Sequence, residues 1–126
     1  MHRSRIGVVL IDVPAEDHDG AERFWSGVVG RPPTDQDADA DYSSLGRIGP
    51  LNLEVQRTGP GTPARLHLDV ETDDVGAEIA RLQALGATVH TELEHFTVMR
   101  DPAGLQFCVV PVQTGDAFAA DATSWP

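Results

Sequence analysis

Apolar positions along this chain fall into two successive sets in the same order: a strand-like run, a polar loop, then a helical stripe. The first run, Ile6 to Ile11, passes into Asp12-Val13, and the second reads His67-Leu68-Asp69-Val70. Downstream, Gly20-Ala21-Glu22 precedes Val29-Gly30, and Gly76-Ala77-Glu78 precedes Leu85-Gly86 at the same interval. Such self-similarity at one offset marks a duplicated unit. Ala21, Phe24, Trp25, Val28 and Val29 recur at three- and four-residue steps, which predicts a helix with its aromatic pair in the core. Val75, Ile79, Leu82 and Leu85 do the same in the second half, with Asp74 placed to cap the helix. Gly30 and Gly86 stand where a helix hands over to a left-handed residue, and Pro32-Pro33 prevents the first helix from continuing.

Strand candidates follow each helix. In the second half they are Thr88 to Glu92, Phe96 to Arg100 and Leu105 to Val110, with Asp101-Pro102-Ala103-Gly104 as a turn. In the first half an acidic, alanine-rich loop from Thr34 to Asp41 precedes a hairpin, Tyr42 to Ile48 and Leu51 to Gln56, closed around Gly49-Pro50. The pattern predicts an α+β chain forming a single domain of two tandem βαβββ modules. Module one covers residues 5–57, a linker 58–63 and module two 64–112. The tail, 113–126, has no periodicity; Trp125 docks on the surface or the end frays.

Period-two alternation gives two strands a polar face. On one, Asn52, Glu54 and Gln56 oppose Leu51, Leu53 and Val55; on the other, Arg65, His67, Asp69 and Glu71 oppose Leu66, Leu68 and Val70. Two arrangements fit: a solvated sheet face, or a concavity shared by the modules, a cleft between mixed sheets lined by these side chains. A histidine beside Arg65 and Asp69 likewise fits a structural hydrogen-bond network as well as a catalytic role.

The 126 residues carry nine basic and twenty acidic side chains, a formal charge of -11, which disfavours nucleic acid and anionic membrane surfaces. Cys108 is the lone cysteine, so no internal disulfide forms, and no stretch is long enough to span a bilayer; a cytoplasmic chain is expected. Lysine is absent, which excludes Schiff-base chemistry on a side-chain amine. Phosphate-loop, Gly-x-Ser-x-Gly and Cys-x-x-Cys motifs are absent too.

Phe24-Trp25 with Gly30, then Arg65-Leu66-His67-Leu68-Asp69-Val70, Leu85-Gly86-Ala87 and Asp101-Pro102-Ala103-Gly104 together resemble the vicinal oxygen chelate superfamily. The closer likeness is to its bacterial glyoxalase-like and bleomycin-resistance-like branch, over Ile6 to Pro111. The resemblance implies a homodimer with a small-molecule ligand, and a metal site with positions near Leu10, Glu54, His67 and Cys108. His67 and Glu54 are sound ligands for a divalent ion (zinc, nickel, manganese or iron), Leu10 is none, and Cys108 stands where the metalloenzymes have a carboxylate. Zinc catalysis normally uses three protein ligands, so the implied site is degenerate, with Asp69 as a possible substitute. No other cofactor is implied. Two functions follow from the resemblance. One is a lyase- or isomerase-type enzyme on a small oxygenated metabolite, with His67 and Glu54 catalytic and Arg65, Asp69, Asn52, Gln56 and Cys108 lining the ligand. The other is a non-catalytic protein that sequesters a drug or natural product.

Overall fold

The computed structural model describes residues 1–34 and 41–126. Strand β1 (His2–Pro14) leads through a 3-10 turn, Ala15–Asp17, into α1 (His18–Val29), followed by β2 (Tyr42–Ile48) and β3 (Leu51–Thr58). The second half runs β4 (Arg65–Thr72), α2 (Val75–Ala84), β5 (Thr88–Glu92), β6 (Thr97–Arg100) and β7 (Gln106–Pro111). Helix α3 (Asp116–Asp121) and β8 (Thr123–Trp125) end the chain. The α+β class and the repeated strand–helix–strand order are as the pattern predicts. Most of the acidic loop, residues 35–40, lies outside the described residues, though Thr34 at its start bridges Ser44.

Two compact units emerge, Val8–His67 and Met1–Gly7 with Leu68–Pro126. In the first, β3 runs parallel to β1, Leu10 opposite Glu54 and Asp12 opposite Gln56, while β2 runs antiparallel to β3 with Ser44 opposite Glu54. Ile11, Val13, Leu45, Leu53 and Val55 form the core on one sheet face, and Val9, Ala21, Trp25 and Val29 pack on it. Of the apolar stripe of α1, the four-step row of residues 21, 25 and 29 packs on the sheet core. The row one step round the helix turns away: Phe24 is 62% exposed, touching Trp25 edge-on at 5.1 Å, so the aromatic pair is core in its second member alone. Gly30 closes the helix at φ 76°, as its left-handed position requires.

In the second unit β4 is parallel to β7, and β6 is antiparallel to both β7 and β5. Residues His2–Ser4 of β1 pair antiparallel with β8. Asp74 caps α2 by accepting the Ala77 N–H at 3.0 Å. The aperiodic tail is ordered here: Trp125 Nε1 donates to Ser4 Oγ at 2.8 Å, and the Arg81 guanidinium stacks 3.8 Å from the Trp125 ring centre. No described helix is long and apolar enough to cross a membrane.

Glu78 is the buried residue of α2, where the stripe led one to expect aliphatics. His2 Nε2 meets its carboxylate at 2.8 Å and Arg81 Nε donates at 2.9 Å. Burial works to raise its pKa, but hydrogen bonds from Arg81, Ser4 and His2 win and leave it lowered from 4.5. A lowered carboxylate contributes stability that is present above its unfolded pKa and lost as pH falls through the folded value. Glu78→Gln is therefore expected to flatten the fall in urea midpoint below pH 4.5. A variant with the wild-type acid slope would contradict this.

Candidate functional site

Beyond Arg65, the polar face of β4 is not solvated. His67, Asp69 and Glu71 are buried, whereas Leu66, from the apolar set, is 59% exposed. That overturns the solvated-face arrangement for this strand. A buried charged group must find partners or leave a penalty, so each of these side chains has to be traced to what it touches.

Glu71 is a structural anchor. Arg5 Nε donates to it at 2.9 Å, the backbone N–H groups of Gln113 and Thr114 at 2.8 and 3.0 Å, and the Thr114 hydroxyl as well. It ties the segment leading into α3 to β4. Asp69 stands opposite Cys108 on β7, their ligating atoms within 4.8 Å of each other. Cys108 is half-buried, between Phe107 and Val109.

His67 turns to a residue that pattern reasoning treated only as the end of a strand. Its Nδ1 lies 2.6 Å from Asp12 Oδ2 on β1. An ionised carboxylate only accepts, so Nδ1 carries the proton and donates it. Arg65 Nε donates to the same oxygen at 3.3 Å, closing a small network within the Val8–His67 unit. Asp12 is 2% exposed, and its other oxygen, Oδ1, has no hydrogen-bond partner among the described residues. An acidic residue breaking the apolar run Ile6 to Val13 was the signal available in the sequence: a charge there needs a partner across the sheet.

The β1–β3 register sets Glu54 and Gln56 on the face that carries Leu10 and Asp12. Gln56 Nε2 donates to the Tyr42 hydroxyl at 2.8 Å, and Asn52 stands opposite Val8 on β1 and Arg47 on β2. Tyr42, like Asp12, was not among the residues singled out.

A divalent ion held as the resemblance implies needs donors at positions 10, 54, 67 and 108. Leu10 is a fully buried hydrocarbon and offers that ion no donor. The set does not fit that ion.

Residues 8–110 match the model of the family described as Glyoxalase-like domain. No curated protein matches the chain. Several solved structures share the fold, three of them as follows. A protein described as NAD-dependent benzaldehyde dehydrogenase from Legionella pneumophila superposes with a TM-score of 0.63 at 13% identity, over 84% of this chain and 98% of that one. Methylmalonyl-CoA epimerase from Streptomyces coelicolor, in complex with 2-nitronate-propionyl-CoA, gives 0.59 at 16% identity, over 85% and 93%. A glyoxalase/bleomycin resistance protein/dioxygenase superfamily member from Vibrio splendidus gives 0.53 at 11% identity, over 89% and 100%. At such identities the likeness carries the fold alone.

Proposed function

Because the chain belongs to the Glyoxalase-like domain family, we propose that it moves a proton on a small oxygenated metabolite in a lyase- or isomerase-type reaction, with His67 and Asp12 as the acid–base pair. The observation that carries this reading is the 2.6 Å contact between two buried groups, one of which keeps an oxygen with no hydrogen-bond partner among the described residues. Structural ion pairs normally satisfy both oxygens, and a residue left short of partners in a polar network is a functional-site candidate.

Asp12 holds the imidazole in the tautomer with its proton on Nδ1, so Nε2 is the nitrogen that takes a proton from a carbon next to a carbonyl. The C–H bond breaks, its electron pair passes to the carbonyl oxygen as an enolate, and Asp12 stabilises the imidazolium. Return of that proton completes an isomerisation. Arg65, whose side chain is partly exposed, donates to Asp12 and offers its remaining N–H groups to the developing oxyanion. Glu54 supplies a carboxylate on the face of Asp12, and Asn52 and Gln56 of the same unit complete the proposed ligand set. No step passes through a metal. The proposal extends to a cytoplasmic homodimer.

The test is deuterium wash-in, followed by NMR, across a panel of 2-oxo acids, 2-hydroxy ketones and acyl thioesters. Exchange at the carbon beside the carbonyl is expected with the wild type, with a large loss in His67→Ala and a smaller one in Glu54→Gln. Saturable binding of a guest without exchange of any panel member would instead support a sequestering protein.

A further inference from the structure

A second cluster lies on the other face of the same three-stranded sheet. Ser43 stands opposite the core residue Val55, whereas Asp12 and Glu54 occupy the opposite pleat. There His18 opens α1 and Glu22 follows one turn later, a spacing that stacks the two side chains on one side of the helix. His18 is 4% exposed. Its Nδ1 is 3.2 Å from Asp19 Oδ1, and since the carboxylate can only accept, the ring proton sits on Nδ1. In the neutral ring Nε2 then keeps a lone pair, buried and with no hydrogen-bond partner among the described residues.

That lone pair faces Glu22 Oε2 at 3.7 Å, too far for a hydrogen bond. The same oxygen already accepts the Ser43 hydroxyl proton at 2.6 Å, so Ser43 supplies no donor to the gap. With the ring neutral, two electron-rich atoms confront each other in a poorly solvated pocket, a conflict that a proton on Nε2 or a metal ion relieves. A cation between them removes the conflict.

We propose that His18 Nε2 and Glu22 Oε2 bind a divalent cation of the zinc class. Zinc takes imidazole nitrogen and carboxylate oxygen each at about 2.0–2.2 Å, which on a tetrahedral ion sets the two donors about 3.4 Å apart. The observed 3.7 Å needs a contraction of a few tenths of an ångström. Imidazole selects zinc over magnesium or calcium. Asp19 holds the ring through its other nitrogen, as carboxylates behind metal-bound histidines do, and Ser43 holds the Glu22 carboxylate in place. Asp19 is exposed and Glu22 partly so, which gives water access to the remaining coordination positions. Two protein ligands, with water in the remaining positions, make this an open, exchangeable site.

The experiment is zinc titration of the chelator-treated full-length protein by calorimetry, with long-range 1H–15N imidazole spectra of the same sample. Zinc is expected to shift His18 Nε2 while Nδ1 keeps its proton. Glu22→Gln and His18→Ala should each weaken one equivalent of zinc at least tenfold, and His67→Ala should retain that equivalent. Glu22→Gln leaves the helix sequence otherwise intact, so it remains informative if His18→Ala does not fold. Wild-type zinc affinity in both variants, or a His18 Nε2 resonance unmoved at saturating zinc, would overturn the site.

Discussion

Glu71→Ala is expected to lower the free energy of unfolding by about 3–5 kcal/mol, the range for removing one partner of a buried ion pair. Glu71 is fully buried and the Arg5 side chain is nearly so, and the two meet at 2.9 Å. Alanine withdraws the short charge-assisted bond to Arg5 and three further acceptances, from Gln113 N–H, Thr114 N–H and the Thr114 hydroxyl. It also opens a void beside Gly7, where even an added Cβ would lie 2.6 Å from the Glu71 carboxyl carbon. Glu71→Gln keeps an acceptor and most of the volume and should lose less. Urea denaturation followed by circular dichroism measures both, and a Glu71→Ala loss below about 1 kcal/mol would show that water replaces the anchor without penalty.

Asp12→Asn is expected to reduce the exchange reaction about 10²–10⁴-fold, the usual contribution of a positioned acid–base group. The substitution preserves shape but brings an amide N–H toward His67 Nδ1. The ring then has to accept at Nδ1, and its proton moves to Nε2, where the proposed mechanism needs a lone pair. A readout independent of any substrate accompanies the loss: the His67 ring nitrogens should exchange their protonated and bare signatures in 1H–15N spectra. Unchanged turnover with the tautomer reversed would remove Asp12 from the mechanism. An unchanged tautomer would show that Asp12 does not orient the ring.

Residues whose neighbours are close in sequence were read well. The 21–25–29 row of α1, the Asp74 cap and the left-handed Gly30 all follow from steps of four residues or fewer. Rotation of a helix about its axis does not follow from periodicity, so Phe24 was expected inside and stands exposed. The candidate site was half legible. His67, Arg65 and Glu54 were reached through strand alternation and resemblance, whereas Asp12 lies 55 residues from His67 and showed only as an acid within an apolar strand. The tail defeated pattern reading because its order comes from Ser4, Arg81 and Glu71, all far away in the chain.

The amino-acid sequence alone determined the local grammar of this protein: two strand–helix–strand sets, their caps and turns, and which side chains share a face. These follow from hydrophobic period and backbone sterics, which act over a few residues. Tertiary structure decided which charges are buried, and with whom. Pairing β1 with β3 sets Asp12 beside Gln56, the same compact unit brings His67 to Asp12, and α1 lays Glu22 on Ser43. Burial strengthens such contacts and makes any polar atom left out of them costly, a distinction that appears only once distant segments meet.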